Sequence, residues 1–159
     1  MRHLRRSARI TTEQWRRKLA CWAAAIMVGV VAVGFAMAAD AAATLRTHII
    51  HINPWIMLVM TPGGLALSSW LTRTWFRGAQ GSGIPQTIAT LHIENFAIID
   101  RLLSLRVAGG KIVLTTLGLL AGASIGREGP SVQVGAAIMH ACGRSLNLST
   151  VAMRRGRLL

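Results

Sequence analysis

Residues 19–39 read LACWAAAIMVGVVAVGFAMAA, a run that contains no charged side chain. The run is bounded by a basic triplet at 16–18 and by Asp40. About 20 residues of helix cross the hydrocarbon core of a bilayer, so the run predicts a membrane-spanning helix. A secretion signal is the alternative, because Ala-Met-Ala at 36–38 resembles a cleavage site. The apolar part of such a signal is typically only about 7–15 residues long, however.

The composition agrees with a membrane protein. Hydrophobic residues make up 52% of the chain and charged residues only 14%, against about 25% charged in a soluble domain. We therefore predict an all-α, polytopic membrane protein with full-length and broken or half-length helices. The basic positions 1–18 predict a cytoplasmic N-terminus, because cytoplasmic loops carry an excess of Lys and Arg. Residues 19–159 form the predicted membrane domain, in the inner membrane of the cell.

A net charge of +13 leaves a basic nucleic-acid-binding protein as a remote alternative. Such proteins keep Arg and Lys on a solvated face, with aromatic side chains between them. Here many basic residues lie outside the apolar stretches, at 1–18 and at Arg154, Arg155 and Arg157. This distribution is typical of the loops that flank membrane helices.

Further along the chain, the uncharged stretches are interrupted or short. The stretch 53–72 contains Pro-Gly-Gly at 62–64, which predicts one bent or broken helix that starts at Asn53-Pro54. A short helix is predicted from Pro85 to about His92. The stretches 112–126 and 129–143 are each too short for a comfortable span. The charged residues between 94 and 106 predict an exposed loop; they are Glu94, Asp100, Arg101 and Arg106.

The first motif that could carry chemistry is Gly81-Ser82-Gly83-Ile84-Pro85. Ser82 suits a helix N-cap, and Pro85 suits the first helical turn. The start of a helix leaves backbone N–H groups unpaired and carries a partial positive charge, so these amides and one hydroxyl could bind a dehydrated anion. An ordinary helix cap fits the same residues equally well.

The second motif is Gly126-Arg127-Glu128-Gly129-Pro130, which continues as Ser-Val-Gln through position 133. Gly-Pro again opens a predicted helix, and the Glu128 carboxylate stands where an anion would bind. If this carboxylate were protonated or moved aside, chloride could take its place. An ionisable group between two short apolar helices is a functional-site hypothesis. An Arg-Glu turn at the membrane surface is the alternative.

Two interrupted helices whose starts are both suited to an anion are typical of transporters. In order and separation, GSGIP at 81–85 and GREGPSVQ at 126–133 resemble the first two signature stretches of the CLC family of chloride channels and chloride/proton exchangers. The resemblance implies an inverted-repeat architecture, chloride transport without enzymatic activity, no cofactor and no metal. It also implies a homodimer in the lipid bilayer, with no nucleic-acid partner.

The resemblance also implies residue roles. Ser82 matches the serine whose hydroxyl coordinates the central chloride, and Glu128 matches the gating glutamate, which passes protons in exchangers. Backbone groups at Gly83, Ile84, Gly129 and Pro130 are then expected to border the ion. Structural roles are expected for the other motif positions, Gly81, Pro85, Gly126 and Arg127.

The chain departs from the family pattern in one large respect, because it matches only about the first third of such proteins. The later G-x-F-x-P stretch is absent, and the chain contains no Tyr to complete chloride coordination. Two alternatives therefore stay open for this chain: a transport-incompetent membrane fragment, or one piece of a split assembly. Channel and exchanger activity also both stay open.

Overall fold

The computed structural model describes residues 2–93 and 95–145, and this part of the chain is all-helical. The predicted all-α class is confirmed. The helices are α1 (Arg2–Ile52), α2 (Ile56–Thr74), α3 (Ile84–His92), α4 (Phe96–Leu102), α5 (Leu105–Leu120) and α6 (Glu128–Ser145). The predicted C-terminal group of Arg154, Arg155 and Arg157 lies outside the described residues.

Helix α1 is much longer than the predicted span, because Asp40 does not end it. Neither Gly nor Pro occurs between residues 35 and 52 to interrupt the helix. The apolar segment suited to crossing a membrane runs from Lys18 to Ile52, which is 35 residues. Phe35, Ala39 and Ala42 are buried at helical spacing and form the face that packs inward. The possible cleavage site at 36–38 lies inside this packed helix.

A bent or broken helix was predicted over 53–72; α2 continues through residues 62–64, so the helix is not broken there. Pro62 lies within the helix, where its ring removes one backbone hydrogen bond without ending the helix. The start at Asn53-Pro54 is nearly correct: the Asn53 Oδ1 accepts a hydrogen bond from the Trp55 amide at 3.0 Å, and the helix begins at Ile56. No α2 side chain is buried.

The second segment that is long and apolar enough to cross a membrane, among the described residues, runs from Ala97 to Leu120. The predicted loop is wrong for residues 96–102 and 105–106, which are helical, although Arg101 and Arg106 are exposed as expected; Glu94 lies outside the described residues. Asn95 caps α4 and Ser104 caps α5, each accepting a hydrogen bond from a first-turn amide. Asp100 is only partly exposed, because its carboxylate oxygens lie 2.7 Å from His140 and 2.7 Å from Arg144, both on α6.

The helices alternate in direction. Early α2 touches the end of α5 at Gly64 and Ala121, while Phe76, just after α2, packs on Gly110 near the start of α5. Helices α2 and α5 are thus antiparallel.

Helices α1 and α6 are antiparallel too. Val28 lies near Gly135, while the later residue Asp40 bonds Arg127, just before α6. Helix α2 therefore begins at the end of the bundle where α1 and α5 finish, while α6 begins beside Asp40, within the length of α1. The main core lies between α5 and α6; its buried members are Leu103, Ala108, Val134, Ala137 and Ile138.

Candidate anion-binding site

The two sequence motifs, more than 40 residues apart, touch each other in the fold. A Cβ atom added to Gly129 would strike the Ser82 carbonyl oxygen and lie 3.1 Å from its carbonyl carbon. A Cβ atom added to Gly83 would lie 3.0 Å from the Gly129 oxygen and 2.7 Å from Gln133 Oε1. Because both glycines lack a side chain, the loop before α3 lies directly against the first turn of α6.

The start of α3 is formed differently from the sequence prediction. The N-cap is Gly83, with a φ of 98°, and not Ser82. This left-handed conformation costs a non-glycine residue about 1–2 kcal/mol. Gln86 acts as the capping side chain, because its Oε1 accepts a hydrogen bond from the Gly83 amide at 3.1 Å. The exposed Ser82 therefore precedes the cap, and its hydroxyl has no hydrogen-bond partner among the described residues.

Few backbone N–H groups remain for a ligand at these two helix starts. At α3, the Gly83 amide is occupied by Gln86 and Pro85 has no N–H, which leaves the amides of Ile84 and Gln86. At α6, Pro130 has no N–H and the Ser131 amide bonds the Arg127 carbonyl at 3.1 Å. The geometry of a helix leaves the first-turn amides without an internal partner, so Gly129 and its predecessor retain theirs.

Helix α6 begins at Glu128, one residue before the predicted Gly-Pro start. A carboxylate in the first turn interacts favourably with the helix dipole. The Glu128 side chain is exposed and makes no ion pair with a described residue. Its neighbour Arg127, for which a structural role was predicted, donates from Nη1 to Asp40 Oδ1 at 2.6 Å and so connects α6 to α1.

Lys111 is a site residue that the sequence analysis missed. Its side chain is only 3% exposed, and its ammonium donates to the carbonyls of Ala79 (2.9 Å) and Gly81. No described carboxylate pairs with it. A signal was available, because Lys111 is the one charged residue between 107 and 126, and an ionisable group within a membrane segment is a functional candidate.

Gln133, the last residue of the second motif, was also given no role. It is 0% exposed, and its Nε2 lies 3.5 Å from the Gly78 oxygen and 3.4 Å from the Leu102 oxygen. These contacts are long. Gln133 therefore packs between the loop before α3, the end of α4 and the Gly83 turn, and its Oε1 has no hydrogen-bond partner.

Together these groups form a site suited to a small anion. The donors are the Ser82 hydroxyl and the first-turn amides of two helices. The Lys111 ammonium bonds the carbonyl of Gly81, the residue before Ser82, and carries a positive charge. The Glu128 carboxylate stands at the same helix start and would compete with an anion for it. Of the predicted residues, the structure brings together the loop 81–85 and the turn 128–130, while Arg127 turns toward α1.

Comparison with known proteins identifies a family. A family model described as voltage gated chloride channel matches residues 63–159, more than half of the chain. The matched region contains both motifs and Lys111, but excludes α1 and the first residues of α2. No curated protein and no solved structure matches the chain.

Proposed function

The chain belongs to the voltage-gated chloride channel family, and from that premise we propose that it supplies the first chloride-binding elements of a membrane chloride-transport protein. The observation that supports this proposal is the direct contact between the Ser82-Gly83 turn and Gly129. This contact brings two helix starts together, and each carries unpaired amides and a partial positive charge.

Ser82 is the proposed side-chain ligand of the ion. A hydroxyl has one donor, and this hydroxyl is free of the capping bond that it was predicted to make, because Gln86 caps α3 instead. The amides of Ile84 and Gly129 are the proposed backbone donors. Gly83 and Pro130 border the ion in this scheme without donating to it.

Lys111 gives the site its net positive charge. A buried ammonium without a carboxylate partner is costly, and an anion nearby offsets that cost. Because Lys111 holds the carbonyls of Ala79 and Gly81, it also fixes the backbone that leads into Ser82.

Glu128 is the proposed gate. Its carboxylate and a chloride would both be attracted to the start of α6, so only one of them can be there at a time. The side chain is exposed and unpaired among the described residues, which allows it to move. Arg127 is held to Asp40 instead and leaves Glu128 without a competing partner.

The proposed orientation places the N-terminus in the cytoplasm of a cell whose inner membrane holds the protein. Basic residues cluster at the end of the bundle where α2 finishes and α5 begins; they are Arg73, Arg77, Arg101 and Arg106. The basic positions before residue 19 precede the α1 span at the same end. The positive-inside rule makes this end cytoplasmic. A homodimer is the proposed assembly.

A second candidate function is assembly without independent transport. The observation in its favour is exposure: Ser82, Ile84 and Glu128 are all exposed, so the described residues do not enclose an ion. Another protein segment would complete the site in this case. Chloride binding would then be weak in the isolated chain, while the chain would still join a membrane complex.

Chloride binding to the purified chain in detergent, measured by calorimetry, tests the proposed site. Substituting Glu128→Gln removes the competing charge, and we expect tighter binding by about 0.3–1 kcal/mol, the energy of a charge at an exposed helix start. Substituting Ser82→Ala is expected to weaken binding by about 1 kcal/mol, one net hydrogen bond.

The matched control is Ser69→Ala, which removes an exposed hydroxyl on α2 and should leave binding unchanged. Chloride efflux from liposomes tests whether this chain transports chloride by itself, and measurable efflux would exclude the second candidate function. Equal chloride affinity in the wild type, E128Q and S82A proteins would rule out the proposed ligands.

A further inference from the structure

A cavity of about 340 Å³ lies where α2 ends and α5 begins. None of its lining residues belongs to the motifs 81–85 or 126–133. Three arginines line it, Arg77, Arg101 and Arg106. They come from three separate segments of the chain: the turn after α2, helix α4 and the first turn of α5.

The charge of this cavity is uncompensated within the described residues. Its lining contains no acidic side chain. The nearest acidic residue in sequence, Asp100, already bonds His140 and Arg144. Arg77 uses its Nε to donate to the Arg73 carbonyl at 2.9 Å, and this bond carries no negative charge. Three guanidinium groups around one cavity repel one another, so an anion between them is favoured.

The guanidinium group is particularly suited to phosphate, because its planar donors can make two parallel hydrogen bonds to phosphate oxygens. The remaining wall of the cavity has an apolar part, formed by Trp75, Phe76 and Val107, and two hydroxyl residues, Thr74 and Ser104. Trp75 is 61% exposed, and tryptophans with this exposure at a helix end are typical of the membrane interface. A ligand with one anionic group and an adjoining apolar part fits this combination.

The location of the cavity selects a lipid over a soluble phosphate. The cavity lies where α2 ends and α5 begins, at the proposed cytoplasmic face. Anionic lipids populate that leaflet, and basic cavities between membrane helices on this side bind their headgroups. We propose that Arg77, Arg101 and Arg106 hold the phosphate of an anionic lipid, with its glycerol and upper acyl chain against Trp75. This inference rests on the membrane location and does not require chloride transport.

The test measures lipid binding to the purified full chain in detergent by native mass spectrometry. We expect phosphatidylglycerol to bind and phosphatidylcholine, which has no net charge, to bind at least about tenfold more weakly. Substituting Arg101→Gln together with Arg106→Gln should weaken phosphatidylglycerol binding about tenfold or more. Arg101→Lys with Arg106→Lys keeps the charge and removes the paired donors, so we expect an intermediate loss.

The matched control is Lys18→Gln with Arg73→Gln, which removes two positive charges from exposed positions outside the cavity. It should change phosphatidylglycerol binding by less than about twofold, because neither side chain lines the cavity. An equal loss in the control would show diffuse attraction and overturn the proposal. Competition by millimolar inorganic phosphate as effective as that by the lipid would also overturn it, in favour of a soluble phosphate. If the glutamine variant does not fold, the lysine variant alone decides: affinity for phosphatidylglycerol equal to wild type contradicts the proposal.

Discussion

The two helix starts that meet at the candidate site are held in opposite ways. The loop before α3 is fixed from inside the protein, by the buried Lys111 ammonium and by the buried Gln133. The start of α6 is held by an exposed ion pair between Arg127 and Asp40, and Glu128 there has no partner among the described residues. The loop before α3 is therefore held by buried contacts, whereas the Glu128 side chain at the start of α6 is exposed and free to move.

This difference suits a site that must both bind and release an ion. Donors that are fixed in place before an ion arrives cost little reorganisation when it binds. A gate, in contrast, must change position at small energetic cost. The predictions below test whether the rigid and the movable side differ as much in energy as they do in structure.

The largest effect is expected for Lys111→Met on the rigid side. The substitution leaves the carbonyls of Ala79 and Gly81 without their charged donor. We expect the free energy of unfolding to fall by about 3 kcal/mol, since each hydrogen bond to a charged group contributes about 1.5–3 kcal/mol and part is regained from the removed charge. Thermal unfolding in detergent measures this change, and calorimetry should show that chloride binding is lost.

The control is Lys18→Met at the only other lysine of the chain, which is exposed. It should change neither quantity beyond about 0.5 kcal/mol. An unchanged chloride affinity in K111M would remove Lys111 from the site and weaken the contrast between the two sides.

A smaller effect is expected for Gly129→Ala, at the contact between the two sides. The new methyl group would strike the Ser82 carbonyl, and because this neighbour is backbone it cannot simply rotate away. Overpacking of this kind costs about 1–3 kcal/mol. Gly126→Ala is the matched control within the same motif, because a Cβ atom there would meet nothing within 4 Å. Equal unfolding temperatures for the two variants would show that the helix starts are not in close contact.

The smallest effect is expected for the Arg127–Asp40 pair on the movable side. Exposed ion pairs contribute about 0.2–1 kcal/mol and are screened by salt. A double-mutant cycle with Asp40→Asn and Arg127→Gln, followed by thermal unfolding, should give a coupling energy below about 1 kcal/mol. A coupling energy above about 2 kcal/mol would mean that the start of α6 is held as firmly as the start of α3, and would contradict the proposed difference between them.

The helical class, the short helix α3 and the start of α2 could be predicted, because each depends on local signals. Uncharged length indicates membrane helices, and Pro or Asn at defined positions indicates helix starts. Prediction failed at two acidic residues that were expected to lie outside helices and that instead lie within helices and pair with distant residues. Asp40 lies within α1 and pairs with Arg127, and Asp100 lies within α4 and pairs with His140 and Arg144.

The motifs of the candidate site could be predicted from the sequence, but the residues that hold its loop in place could not. Ser82 and Glu128 stand in short local patterns, whereas Lys111 acts through main-chain carbonyls about 30 residues earlier. Every residue carries a backbone carbonyl, so no sequence pattern shows which carbonyls Lys111 bonds. The N-cap prediction for Ser82 failed because Gly83 is the N-cap and the Gln86 side chain, three residues later, accepts the hydrogen bond from its amide.

Helix α1 has a mechanical consequence. Its 35-residue apolar segment is about 52 Å long at 1.5 Å per residue, while the hydrocarbon core is about 30 Å thick. A helix of this length must tilt or extend beyond the hydrocarbon core, and its tilt changes when the membrane becomes thicker or thinner. Asp40 lies on this helix and bonds Arg127, the residue next to Glu128, so a change of tilt would displace Arg127. We therefore expect membrane thickness to affect the start of α6 through the Arg127–Asp40 ion pair.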